Sequence, residues 1–409
     1  MTIKLRIKKR SLSQQINLLC VFFWFSLIVT DIVRRIPRFS SATNLIRNLV
    51  YLVVFGFVFI KVLSKRDNYK YYFVPGIIYI LLFGVSCLFH PEILSIASND
   101  VLLFFIRCLI GFCLGACITD WRDLIDQISS CHWISLAYAI IILTTRTNTL
   151  ADTTNYMSFS YALLVPATIT FFSGMENKQI VKVVSSTVQL FVIAVIGARG
   201  PVLCFMVSLT AIIMIKLFTN KTKLSTKILV TVLLLVSIII VTLWYDDIML
   251  LLYSMFPNSR TLILFSQGTL LESSDRESIY EPIIQEIMKN PILPNGLFYD
   301  RIYLSKIGTR YISTGSYPHN FVLEIWFQLG AFGLFFIIYY FHKTIELIYR
   351  VIQLNNSYIN IAFSVFCLAI CCKMMISSTY LSDAQMWFSL GAMISFSTVI
   401  RSTDGEIIQ

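Results

Sequence analysis

Ser316-Tyr317-Pro318-His319-Asn320-Phe321-Val322-Leu323-Glu324-Ile325-Trp326-Phe327 is where the chain turns from polar to apolar. Before it lies the one long polar segment. After it, from Phe321, an apolar run continues to about residue 341, long enough to cross a ~30 Å hydrocarbon core. A histidine at that junction sits at the water–lipid boundary. Its unperturbed pKa lies near neutrality, so His319 can take or give a proton under ordinary conditions. The plain alternative is a solvated loop histidine, one of four in the chain.

Outward from this junction the same pattern repeats. The 409 residues are 57% hydrophobic and 13% charged, against ~25% charged in a soluble domain. Apolar runs predict twelve spans: 13–32, 44–63, 71–89, 101–119, 131–146, 156–173, 181–198, 201–218, 226–244, 320–341, 357–378 and 384–400. The expected fold is an all-α polytopic membrane protein. Residues 1–244 carry spans one to nine, 245–319 a loop between spans nine and ten, and 320–409 the last three spans and a short tail. The first run follows Lys4, Arg6, Lys8, Lys9 and Arg10. It is long and lacks a small-residue cleavage site, so it reads as an anchor and not a removed signal.

A net charge of +11 invites a nucleic-acid reading, and its distribution argues against one. With the N-terminus inside, nineteen of the 33 basic residues fall in inside segments, the positive-inside signature. Arg34, Arg35, Arg38 and Arg47 run against it. The later loops favour both termini in the cytoplasm, with the 245–319 loop outside. The ten cysteines all lie in or beside spans and none in that loop, so no outside disulfide is expected. Cys113 and Cys117, and Cys371 and Cys372, read as small packing residues, with no His or acid beside them to make a metal site.

The loop is too long to be structureless. Asp247–Phe256 suggests an interfacial helix. Ser274-Asp275-Arg276-Glu277 has capping-box spacing, so a helix should start there. Ile279, Ile283, Ile287 and Met288 give it an apolar stripe. Pro282 should kink it or mark its first turn, and Asn290-Pro291 should end it. The segment is therefore expected to be a small cap docked on the membrane domain.

Two further features carry chemistry. Gly197-Ala198-Arg199-Gly200-Pro201 is a tight turn between spans, on the same face as the loop. Glycine permits close backbone approach and proline suits a helix's first turn. Arg199 stands between them, either snorkelling to headgroups or offering its planar fork to phosphate oxygens. Arg276 opens the loop helix at the end where the dipole favours anions. It is either a solvated arginine or half of an anion site. Arg301 and Arg310 add charge on that face, and Tyr317 and Asn320 flank His319. Arg107 and Lys373, inside spans, should be buried partners of polar groups.

The sequence has no P-loop, no G-x-G-x-x-G after a strand, no D-x-D pair and no zinc spacing. Arginines and a histidine on an outer face, without a cofactor motif, suit a substrate that carries its own activation. A polyprenyl diphosphate-linked sugar does so: the leaving group is already attached, the tail lies in the bilayer, and the glycan projects outward.

At these residues the chain resembles the bacterial O-antigen ligase and polymerase superfamily. The resemblance rests on Gly-Ala-Arg199-Gly-Pro after a span. It rests next on Asp275-Arg276-Glu277 with Ile-x-x-x-Ile and Lys-Asn-Pro291 and Gly296. Last comes Tyr-Pro-His319-Asn320-Phe-Val-Leu-Glu324 with Leu329-Gly330-Ala-Phe-Gly333. Pro282 within the loop helix and Leu297 after Gly296 depart from its usual pattern. Tyr-Pro-His-Asn followed by Leu-Glu looks more like the Wzy-type polymerases of O-antigen or capsule than the ligases. The resemblance implies a GT-C-like, inner-membrane glycosyltransferase facing the periplasm, working without metal or other cofactor and inverting the anomeric carbon. Arg199 and Arg276 would bind the donor diphosphate, Arg301, Arg310, Tyr317 and Asn320 would line the substrate, and His319 would act as base or diphosphate ligand. A polymerase would use another lipid-linked repeat unit as acceptor, and a ligase the lipid A core. The bilayer, a chain-length regulator and a flippase are the implied partners, and a flippase is also the rival reading of the chain itself.

Overall fold

The computed structural model describes residues 11–34, 43–63, 68–146, 156–196, 199–218, 225, 228, 232, 243, 245–255, 260–268, 276–307 and 316–407. Every regular element among them is helical. In chain order they are α1 (Leu12–Arg34), α2 (Thr43–Val58), α3 (Lys70–Phe89), α4 (Ile93–Leu103), α5 (Leu109–Ala116), α6 (Trp121–Ser130), α7 (His132–Arg146), α8 (Tyr156–Glu176), α9 (Ile180–Ile196) and α10 (Arg199–Phe218). Then follow α11 (Tyr245–Met255), α12 (Arg260–Ser266), α13 (Glu277–Lys289), α14 (Tyr299–Ile307), α15 (Phe321–Leu354), α16 (Ser357–Phe363), α17 (Ile370–Ile376) and α18 (Ala384–Ile407). Wide π-helical turns continue α2 and join α4 to α5 and α16 to α17.

Among the described residues six helices are long and apolar enough to cross a membrane, and a seventh if α6 and α7, bent by 44°, make one span. The protein is therefore a helical membrane protein. Helices occupy the other positions expected as spans, but α9 and the apolar part of α18 are short. The π-helical turn at Phe104–Cys108 interrupts the fourth, and most of 226–244 lies outside the described residues.

The tightest crossing is between α5 and α18. A Cβ on Gly115 would lie 2.3 Å from the Phe388 carbonyl oxygen, and one on Gly391 would lie 2.1 Å from that of Phe112. Small residues let two apolar helices touch backbone to backbone where no water remains to drive them together. Cys113 and Cys117 are buried at this crossing, in their expected packing role. Helix α8 is central and buried along most of its length.

Helix α15 is not one rod. At Gly330 its backbone takes φ 56°, ψ −134°. The loop after α13 fills the break: Ala331 N–H donates to the Ile292 carbonyl (3.0 Å), and Gly296 N–H donates to the Gln328 carbonyl (2.9 Å). Trp326 Nε1 donates to the Pro291 carbonyl at 3.0 Å. A Cβ on Gly330 would lie 2.3 Å from that same Ile292 oxygen, so no other residue fits. Leu297 N–H in turn donates to Ser86 Oγ at 2.8 Å, tying the loop to α3.

The loop helices differ from expectation in detail. Helix α13 starts at Glu277, after a turn at Arg276 that makes no side-chain cap; Ser274 and Asp275 lie outside the described residues. It continues through Pro282, which is therefore inside the helix, and stops at Asn290. Ile279, Ile283 and Ile287 pack on Leu304 and Phe327, whereas Met288 is exposed. The stripe is thus narrower than four residues, because a thirteen-residue helix meets α14 and α15 along one line only.

Candidate active site

The site begins with the chain's approach to α15. Asn320 is in extended backbone, and its Oδ1 accepts from Val322 N–H at 3.0 Å and Leu323 N–H at 3.3 Å. This is an N-cap, satisfying two otherwise orphaned donors. Its side-chain oxygen is therefore engaged by the fold. His319, one residue earlier, has φ 55°. A non-glycine residue there is uncommon and persists where its surroundings fix it.

Those surroundings come from three directions. The Tyr317 ring lies 4.1 Å from the imidazole, centroid to centroid. The loop after α17 supplies the Ser377 carbonyl, a hydrogen-bond partner of the ring. Arg276 and Arg301 are both close enough to act on it electrostatically. His319 is consequently held below the ordinary imidazole value of 6.5: burial disfavours the charged ring first, and the two guanidinium groups add to it, against the Ser377 carbonyl. With one ring nitrogen donating to that carbonyl, the other is left as an acceptor.

Beneath lies a buried ionic cluster. Arg301, on α14, donates to Asp300 Oδ1 at 3.2 Å and to Thr379 Oγ1 at 3.3 Å, and sits 3.7 Å from Glu324. Glu324 accepts from Thr379 Oγ1 and the Tyr380 N–H. Gln328 Nε2 donates to Asp300 Oδ1 (2.6 Å), and Tyr380 Oη donates to Gln328 Oε1 (2.6 Å). Burial pushes the Asp300 carboxyl up, against Arg301 and Gln328. Arg301 stays charged despite burial because Asp300 and Glu324 outweigh it. The cluster joins the loop, α15 and the 377–383 turn through one guanidinium. Neither Glu324 nor Asp300 was assigned a role from sequence. The available signal was a single acid one turn into an apolar span, which must have a partner.

Arg199 is the first residue of α10 and is exposed. Gly200 behind it packs against Tyr161 of α8 and Ile376 of α17, so the start of α10 reaches the turn that holds His319. Arg276 is half-buried at the start of α13. The fold thus gathers Arg276, Arg301, Tyr317 and His319 around one corner and brings the backbone of α10 to it. Arg310 lies outside the described residues. Lys373 pairs with Asp383 and donates to Gln385 Oε1 at 2.8 Å, the buried partnership expected of it. Burial alone would raise Asp383, but Lys373 and Ser378 hold it below the usual carboxylate range.

Residues 184–338 match the family described as O-antigen ligase. That stretch begins in α9 and ends in α15, and it takes in Arg199, Arg276, Arg301, Tyr317 and His319. The match bears out the resemblance to the O-antigen ligase and polymerase superfamily. No curated protein matches the chain.

Proposed function

We propose that this protein is a bacterial inner-membrane glycosyltransferase that moves a glycan from a polyprenyl diphosphate carrier to a second lipid-linked repeat unit. The carrying observation is that the O-antigen ligase match spans a corner where His319 meets Arg276 and Arg301. In this scheme an acceptor hydroxyl attacks the anomeric carbon and the bond to the diphosphate oxygen breaks. The hydroxyl proton passes to the free ring nitrogen of His319, and polyprenyl diphosphate leaves. The depressed pKa supports the base role, because it keeps the ring neutral at the pH of the reaction. Arg199 and Arg276 neutralise charge growing on the leaving diphosphate, and such preorganised electrostatics usually lower a barrier more than any other single effect. Arg301, engaged by two carboxylates, acts as a positioning residue beneath Tyr317.

The scheme places the 245–319 loop and the site on the periplasmic face. It leaves to the guanidinium groups the neutralising part that a divalent cation plays elsewhere. A second reading, transfer to the lipid A core, is favoured by the description of the matched family. The test is direct. Purified protein in detergent receives a polyprenyl diphosphate-linked repeat unit, without nucleotide and with a chelator present. Lengthened glycan with release of one carrier per bond supports polymerisation. Transfer only when lipid A core is added supports ligation. Neither product from folded protein removes the glycosyltransferase assignment.

A further inference from the structure

Met288 at the end of α13, and Ile292 and Leu293 in the loop after it, turn their side chains outward, with Ile292 69% and Leu293 65% exposed. Pro291 and Pro294 flank the last two and are exposed as well. Ile284, one turn before Met288, continues the apolar patch along α13. Other outward positions of that helix, Glu281 and Gln285, are polar. The apolar tip is therefore local, and it needs a covering that water does not supply.

The tip adjoins a second apolar surface. Its backbone fills the break in α15, where a Cβ on Gly330 would meet the Ile292 and Leu293 carbonyls. No residue of α15 before the break is exposed, whereas Phe332 just beyond it is 80% exposed and Phe335 follows on the same side. Those rings belong to a membrane-spanning helix, so the tip is continuous with a lipid-facing surface. Depth follows from the far end of that helix, where Lys343 and Arg350 each pair with Glu346 at 2.8 Å. Gly330 precedes Lys343 by thirteen residues, or ~20 Å of helix, which is less than the ~30 Å of a hydrocarbon core. The polar groups suit that depth. Asn295 N–H and Nδ2 donate to the Phe327 carbonyl at 3.4 and 3.0 Å, and Gly296 N–H donates to that of Gln328. Pro291 and Pro294 have no N–H to leave open. Irregular backbone is met in hydrocarbon where protein completes its hydrogen bonds. Lys289, paired with Glu286 at 2.9 Å, has a stem long enough to carry its charge up to the headgroups.

We propose that Met288, Ile292 and Leu293 form a bilayer-inserted tip, whose partner is the acyl chains of the leaflet beneath the loop. The tip anchors α13 and α14 at a fixed height, and with them Arg276 and Arg301. The inference needs only the membrane fold and stands apart from the glycosyltransferase reading.

Leu293→p-benzoylphenylalanine puts a photoreactive side chain at the tip, and Glu281→p-benzoylphenylalanine puts one on the polar side of α13. Both positions are exposed, so both variants should melt with the wild type. The full-length protein is reconstituted in vesicles of phosphatidylethanolamine and phosphatidylglycerol, irradiated, and digested for mass spectrometry. Position 293 should carry phospholipid attached through an acyl chain, and position 281 should carry none. A folded 293 variant without lipid attached overturns the inference, and so does equal attachment at the two positions. Attachment only to a second copy of the chain would make the tip a subunit contact. Attachment only after a polyprenyl phosphate is added would make it a groove for that carrier. Either result overturns the bilayer as its partner. Should the 293 variant not reconstitute, Met288→p-benzoylphenylalanine decides by the same outcomes.

Discussion

The guanidinium of Arg301 lies 5.5 Å from the centre of the Tyr317 ring. The ring separates a buried ion cluster from His319, since its other neighbour is the imidazole at 4.1 Å. Burial raises the Tyr317 hydroxyl to about 12, so the ring presents a neutral phenol to both. Orientation at the candidate base therefore depends on a charge that does not touch it.

Removing that charge should be severe. Arg301→Ala would leave Asp300 and Glu324 buried without their cation, and breaking such a pair costs about 3–5 kcal/mol. Thermal unfolding in detergent should show a large drop. Arg301→Lys keeps charge but cannot reach Asp300, Glu324 and Thr379 in one plane, so it should unfold between the two. Equal stability of Arg301→Ala and wild type would mean the cluster does not hold the loop to α15.

Gly330→Ala tests how the loop is attached. The change strains a positive-φ backbone by roughly 1–3 kcal/mol and pushes a methyl group onto the Ile292 carbonyl. Amide exchange at 292–296 should accelerate much more than exchange in α5 or α18. Uniform protection across both regions would contradict the idea that the broken helix anchors the loop.

Much of this was legible in the sequence because periodic apolarity and cap chemistry are local. Asn320 before an apolar run reads as a start, and Asn290-Pro291 as a stop. The ion cluster was not legible, because Arg301, Glu324 and Thr379 lie on three separate segments that only the fold joins. The break at Gly330 was hidden for a related reason. Its hydrogen bonds are completed by residues 292–296, and nothing in the apolar run itself marks the interruption.

Sidedness follows from charge and has its own check. Reporter fusions after residues 70, 220 and 350 should read as cytoplasmic, and those at 150 and 270 as outside. A cytoplasmic signal at 270 would put His319 on the face away from its proposed substrate.

Two arginines carry the proposed leaving-group contacts. Arg199→Lys retains charge but loses the two-point fork, and most activity should go with it. Arg276→Ala should abolish long chains while the protein still inserts. Lipid-linked products resolved by gel would then stop at single repeat units. Normal chain lengths in both variants, at matched expression, would return these arginines to a lipid-facing or solvated role.

His319 makes a pH prediction with a definite sign. Its folded pKa lies below 6.5, chiefly through burial, so the base form predominates at pH 7. The rate should fall as pH drops through the folded pKa, at a lower pH than an ordinary imidazole would give, as the ring takes a proton and can no longer accept one. The same shift makes a stability contribution that is full above 6.5 and is lost as pH falls through the folded pKa. A melting curve at each pH therefore separates lost base from lost fold. His319→Ala should slow turnover by ~10²–10⁴-fold and remove the acidic limb from the profile. His319→Gln should not restore the rate, since an amide can hydrogen-bond to a diphosphate but cannot remove a proton. Recovery in the glutamine variant would assign His319 to the diphosphate and leave the base to another group.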